Sequence, residues 1–494
     1  LVSLLVSGAI EYAELSGPGE AIEFALTLAL CAGLIQLLMG TIGLGFVVDF
    51  LSHPVISGFT SAVALLIGLS QLPQLLGIDV ARGGGVVSRI AAIVAQSGEI
   101  HWLTAIVGSC GVATLLVCRR WVPKVPGALL VVVGATALTS MAGLAEHGLA
   151  VVGQVPAGLP TLTLPTSTYL VACLPTAAVI AIISFAESIS VAKALARRHR
   201  YRVAPNRELL ALGAANLAAS LTGGYPVTGG LSRTAVNDRA GAASQMAGFI
   251  TAVTVASVAL VFTPALQALP TAVLSAVILT AVVSLFDGKE ALRLWRVDRP
   301  DFMIWCVTFG VCLFVGVEQG LAAGVGSAIL WFAYAASQPH IAVLGRLPRT
   351  TVWRNIERND DAIERADLLA IRIDAPLYFG NVRSVRAALN RLVDARPALR
   401  YVVLDCSPIT RLDSTAAEAL MTSIDELDAR GVVTHLATVR GPVRDRLRLF
   451  GVLDAYPGLR LFERVHEAAE VLEMSPQAAP VSEAVIFGPP ALPA

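Results

Sequence analysis

Two ionisable side chains stand in apolar surroundings, Arg233 and Glu187, and their types suggest charge recognition rather than bond chemistry. Arg233 belongs to the stretch Gly223–Asn237, which interrupts two long apolar runs. Its first half is rich in Gly and Pro, which do not continue a helix; its second half carries hydroxyls and this permanent cation. At bilayer depth, non-helical backbone survives only where protein or a water-filled cavity covers it. An arginine there costs at least about 2.5 kcal/mol on insertion scales, so it calls for a partner or a task. A helix restarting near Thr228 would point free N–H groups and a positive dipole end into the break. The backbone at Thr228, Gly229 and Gly230, with Ser232 and Arg233, therefore forms a candidate anion-binding site. The alternative is a re-entrant turn with Arg233 at the cytoplasmic interface.

Glu187 lies within the apolar run Val179–Ala196, where a carboxylate is unfavourable unless neutralised or paired. Such a group could carry a proton or hold a cation. The alternative is a structural carboxylate hydrogen-bonded to neighbours such as Ser184 or Ser188. Lys193 stands six residues on, a spacing that does not favour a helical pair. Asp49 and His53 flank Pro54 and read as a helix junction rather than as chemistry. The seven cysteines have no metal-ligand or paired spacing and the histidines are scattered. No metal centre, cofactor site or enzymatic constellation emerges.

These residues need membrane helices to hold them. The chain is 55% hydrophobic and 15% charged, with mean hydropathy +0.71, which describes a multi-pass membrane protein carrying a smaller soluble part. The zero net charge suggests no nucleic-acid partner. Apolar spans run over 21–43, 54–72, 102–118, 126–144, 171–196, 207–222, 244–263, 270–286, 301–317 and 318–336. Basic residues gather in alternate loops: Arg119, Arg120 and Lys124; Arg197 to Arg207; and Lys289, Arg293, Arg296 and Arg299. By the positive-inside rule those loops are cytoplasmic, with Arg82 and Arg89 a mild exception, and parity of crossings puts the C-terminal part in the cytoplasm. From about 348 to 475 the pattern turns soluble. Strands at Leu368–Ile373, Tyr401–Cys406 and Val432–Val439 alternate with helices at Val382–Val393, Thr415–Leu427 and Pro442–Phe450, the signature of a small α/β domain. The segment 476–494, with five prolines, reads as a disordered tail.

Gly223–Asn237, the run Ser184–Lys193, and Val48-Asp49-Phe50-Leu51-Ser52-His53-Pro54-Val55 resemble the SulP family of anion transporters, and the soluble part resembles their C-terminal STAS domain. The resemblance covers the chain to about 475. It implies a transporter domain over 1–340 and a STAS domain over 348–475. The implied fold is a polytopic α-helical membrane protein, a seven-plus-seven inverted repeat of the uracil-transporter kind, lacking its first two elements and followed by the small α/β STAS domain. Leu1–Ile10 matches only the remainder of the third element, so one wall of the anion site is expected to be absent. The implied activity is secondary active transport of an inorganic or carboxylate anion, sulfate by default, coupled to H+ or Na+ through Glu187 in the cell membrane, with a homodimer as the expected assembly. The alternatives are a bicarbonate or dicarboxylate transporter, or a non-transporting membrane-anchored STAS module. In stand-alone STAS proteins the loop matching Asp413-Ser414-Thr415 is a phosphorylation switch, which makes Ser414 and Thr415 candidate regulatory residues. Here Ala416 replaces the usual glycine, and capping of the following helix by Asp413 or Ser414 is the competing role.

Overall fold

Proline and glycine set the boundaries of the membrane helices. In this computed structural model Pro18 opens the helix Pro18–Ile42, and Gly43, left-handed at φ 85°, closes it on the Met39 carbonyl. His53–Leu76 likewise begins with Pro54 and ends at Gly77, φ 69°. Proline fits the first helical turn because its missing N–H would have no partner there, and glycine reaches the left-handed cap without strain.

The structure describes residues 2–13, 17–46, 52–80, 86–122, 126–153, 158, 162–166, 168–230, 233–234, 237–238, 240–283 and 286–474. Ser232, Asp49 and the segment 476–494 lie outside them. The described chain divides into two compact units, Leu1–Ile329 and Leu330–Ala494. In chain order its first helices are α1 (Val2–Tyr12), α2 (Pro18–Ile42), α3 (His53–Leu76), α4 (Val86–Ala95), α5 (Trp102–Trp121), α6 (Gly127–Ala142), α7 (Leu170–His199) and α8 (Pro205–Leu221). They are followed by α9 (Met246–Val261), α10 (Thr271–Val283), α11 (Gly288–Val297), α12 (Arg299–Phe314) and α13 (Val317–Ser337). Among the described residues six helices are long and apolar enough to cross a membrane. The expected spans fall on helices throughout. Two further helices, α4 and α11, were not anticipated, because each is too short to read as a crossing.

Packing in the first unit falls into two groups. Helix α2 lies against α7 and α8, while α3 lies against α10 and α12, and α5 against α10 and α6. The α2–α8 contact is close because it is made by glycines. A Cβ at Gly33 would stand 2.9 Å from the Gly213 carbonyl oxygen, and a Cβ at Gly213 would stand 2.9 Å from that of Gly33. Small residues of this kind let membrane helices approach backbone to backbone.

The second unit is a six-stranded sheet of β1 (Ile341–Arg346), β2 (Trp353–Asn355), β3 (Leu368–Ile373), β4 (Tyr401–Asp405), β5 (Val433–Ala437) and β6 (Leu461–Phe462). The order is β2-β1-β3-β4-β5-β6, with β1 antiparallel to both neighbours and β3 to β6 parallel. Strand residues alternate between faces. Leu369, Ile371 and Ile373 meet the helices α14 (Val382–Asp394), α15 (Ser414–Asp428), α16 (Gly441–Leu449) and α17 (Val452–Ala455). Leu368 and Ala370 face α18 (Val465–Met474) on the other side. The sheet begins earlier than the compositional change at about 348. Ile341–Arg346 is a fully paired strand in the stretch between the last apolar span, 318–336, and that change.

Candidate functional site

Gly223, left-handed at φ 77°, ends α8, and the Gly224 N–H closes the turn on the Ala219 carbonyl at 2.7 Å. Residues 224–230 are non-helical. Helical hydrogen bonding resumes where the Gly230 carbonyl accepts from Thr234 N–H at 3.0 Å, and residues 233–234 and 237–238 are helical. This lies close to the restart expected near Thr228, and α7 and α8 hold the residues just before it.

That hold is residue by residue. Asn216, on α8 and fully buried, accepts the Val227 N–H through Oδ1 at 2.7 Å and donates from Nδ2 to the Val227 carbonyl at 3.3 Å. Thr228 donates its hydroxyl to the Ser184 carbonyl at 2.9 Å. Gly229 N–H donates to Ser188 Oγ at 2.9 Å, and a Cβ on Gly229 would stand 2.8 Å from that same oxygen. Behind this layer, Gln36 of α2 donates to Ser184 Oγ at 2.8 Å and to the Ala181 carbonyl at 3.2 Å. Its own Oε1 accepts from Asn216 Nδ2 at 2.9 Å. Gln36, Ser184 and Asn216 are each 0% exposed, so every bond in this chain replaces one that water cannot supply.

Of the expected site residues, Thr228, Gly229, Gly230 and Arg233 are described and Ser232 is not. Thr228 and Gly229 turn their donors toward α7, so an anion at the break would share or displace those bonds. Arg233 folds its guanidinium over Gly230, where a Cβ would stand 3.3 Å from Nε and 3.4 Å from Nη2. Ser184 and Ser188 are committed elsewhere and are not the partners of Glu187. One carboxylate oxygen of Glu187, Oε2, is buried with no hydrogen-bond partner among the described residues. A buried acceptor left so is disfavoured. Sequence reasoning missed Gln36 and Asn216. The signal was present, since a primary amide inside an apolar span is rare without a polar partner.

In the second unit Asp413 is the helix cap. Its Oδ1 accepts the Ala416 N–H at 2.8 Å and its Oδ2 accepts the Phe379 N–H at 2.9 Å. Ser414 and Thr415 are exposed in the first turn of α15.

Comparison with known proteins bears on this arrangement. Residues 1–308 match the model of the sulfate permease family and residues 357–468 match the STAS domain. The chain is 36% identical over 490 residues to sulfate transporter 4.1, chloroplastic, of Arabidopsis thaliana, covering 95% of this chain and 71% of that protein. It is also 36% identical over 434 residues to a probable sulfate transporter of Mycobacterium tuberculosis, covering 87% and 77%. The solved structure of the murine solute carrier 26 family member A9 anion transporter in its inward-facing state superposes with a TM-score of 0.85 at 25% identity, covering 93% of this chain and 78% of that one. The transmembrane domain of a cyanobacterium bicarbonate transporter, BicA, shares the fold with a TM-score of 0.56 at 23% identity, covering 66% and 82%.

Proposed function

The chain belongs to the sulfate permease family, and on that premise we propose that it is a secondary active transporter of a small anion, sulfate first, coupled to H+ or Na+ through Glu187. The observation that carries the reading is the restarted helix at Gly230, with the Arg233 cation folded over its first residue. A helix start with a guanidinium beside it favours an oxyanion through both dipole and charge.

Glu187 supplies the coupling in this reading. While it is ionised, its charge opposes that of Arg233 and weakens the field an anion would meet. A proton or sodium ion on Glu187 removes the opposition, so cation and anion favour each other's binding. Linkage requires the same factor in both directions. The transporter domain lies in the cell membrane, works as a homodimer and carries its STAS domain in the cytoplasm, the side on which the basic loops gather.

The test is flux through the full-length protein in proteoliposomes, with labelled sulfate, bicarbonate and fumarate offered in turn. Arg233→Ala is expected to abolish uptake while membrane insertion is retained. Glu187→Gln, which keeps the shape and removes the titratable charge, is expected to leave anion binding and remove dependence on the proton or sodium gradient. Wild-type uptake by the first variant, or unaltered gradient dependence in the second, would refute the assigned role.

A further inference from the structure

Helix α11 (Gly288–Val297) carries three distinct faces on ten residues. Glu290 and Leu294, four apart, are buried at 9% and 7% exposure. Leu292 and Trp295, three apart, are apolar and each 53% exposed. Lys289, Arg293 and Arg296, at spacings of four and three, form an exposed basic face. A helix in water has no use for the second face, and a helix crossing the bilayer could not tolerate the third. Protein on one side, apolar medium on the next and charge on the last describes a helix lying in the plane of the membrane interface. Its position in the chain agrees, since it joins the apolar helices α10 and α12.

The charges on this helix are sorted by partner. Asp287 caps α11 through the Glu290 N–H at 3.0 Å, and Asp298 caps α12 through the Asp301 N–H at 3.3 Å. Glu290 takes Arg293 at 3.2 Å and lies 3.5 Å from His53 Nδ1. The carboxylates are thus turned to helix starts and to Arg293, while Lys289, Arg296 and Arg299 are exposed. Arg299 stands over the Trp295 ring at 6.0 Å from its centroid, and Phe302 meets the same ring edge-on at 5.1 Å. An indole held at the rim between an apolar face and a cationic face is the arrangement by which aromatic side chains anchor at headgroup level.

We propose that Lys289, Arg296 and Arg299, with Trp295 and Leu292 beside them, form a binding surface for anionic phospholipid. The acyl chains would lie along Leu292 and Trp295, and the phosphate would meet the three cations. This rests on the reading of the chain as a membrane protein, but its readout does not depend on transport. The protein is reconstituted into nanodiscs containing phosphatidylcholine and phosphatidylglycerol, with bromine placed on the acyl chains of one lipid or the other. Quenching specific to Trp295 is the difference between the wild type and Trp295→Phe. Brominated phosphatidylglycerol is expected to be enriched at Trp295 roughly fivefold over its bulk share, the factor that about one basic side chain gives at an anionic surface. Enrichment should fall to bulk level in the triple Lys289→Gln, Arg296→Gln, Arg299→Gln variant, and partly in Arg296→Gln alone. It should persist when Lys289→Arg and Arg296→Lys preserve the charge. Equal quenching by the two lipids in the wild type, or enrichment that survives the triple variant, would overturn the proposal.

Discussion

Replacing Asn216 by leucine tests whether the amide chain is what holds the break. The change keeps the side-chain size and removes the acceptor of the Val227 N–H at 2.7 Å and the donor to Gln36 Oε1 at 2.9 Å. It also removes the weaker donations to the Leu212 and Val227 carbonyls. Two groups lose a partner, the Val227 N–H and the Oε1 of the fully buried Gln36. A buried group left so costs about 1–3 kcal/mol, so the variant is expected to lose about 1–3 kcal/mol through Gln36 Oε1, less a small gain from the apolar replacement. Unfolding in mixed micelles titrated with SDS measures the loss. A second substitution sharpens the test. Gln36→Leu added to Asn216→Leu removes the group the first change orphaned, so the double variant should be more stable than the sum of the two predicts by about 1–2 kcal/mol. The anion KM should rise in Asn216→Leu, because the backbone leading to Gly230 is no longer fixed against α8. Stability within about 0.5 kcal/mol of wild type, the range of an ordinary surface change, would refute the reasoning. So would strict additivity in the double variant.

Two further predictions concern the STAS domain, tested on an isolated segment beginning before Ile341 so that β1 is retained. His435 is buried, accepts the Arg460 N–H on Nδ1 at 3.3 Å, and has its pKa pulled from 6.5 to about 4 by burial and the Arg460 charge. Between those values the unfolded chain binds a proton that the folded one does not, so stability is full above pH 6.5 and should fall by about 3 kcal/mol as pH drops toward 4. Thermal melts of wild type and His435→Phe across that window check this, and an equally steep fall in the variant would assign the effect elsewhere. Asp367 and Asp374, held low by Arg365 and Arg372, add losses only below the ordinary carboxylate range. Asp413→Ala should cost about 1–2 kcal/mol through the lost cap, while Ser414→Ala should change the melt by less than about 0.5 kcal/mol; the reverse order would make Ser414 the structural residue.

What the sequence made legible was local. Gly223, Gly224 and Pro226 forbid a continuous helix wherever the rest of the protein lies, so the break could be read directly. Short apolar runs in Leu368–Ile373 and Tyr401–Asp405 marked strands buried on both faces, and apolar length marked the spans. The network that fixes the break was not legible, because Gln36 and Asn216 are 180 residues apart. Each alone reads as one tolerated amide in an apolar run. The non-helical backbone from Gly224 to Gly230 has the same origin. Local rules allow a helix from Thr228, but Ser184 and Ser188 claim the Thr228 hydroxyl and the Gly229 N–H first. Helix α11 escaped notice for a different reason. It is too short to read as a crossing, and only the burial of Glu290 and Leu294 separates the protein side from the apolar side.

The position of Glu187 on α7 adds one step to the coupling argument. Ser184 and Ser188, one turn apart, are the two residues through which α7 grips Thr228 and Gly229, and Glu187 lies between them on the same turn. A change of charge on Glu187 therefore needs no long pathway to reach the anion side. In the proposed coupling it would act through space on Arg233 and through the backbone of one helical turn on the grip itself. The two routes make separable demands. The electrostatic route requires Arg233 and weakens with ionic strength in any water that reaches the break, whereas the mechanical route requires Ser188 and does not. In Ser188→Ala the Gly229 N–H loses its acceptor while the charges stay. If coupling is chiefly electrostatic, that variant should bind anion less well, yet keep its gradient dependence. If the grip carries the coupling, gradient dependence should fail in Ser188→Ala as it is expected to in Glu187→Gln.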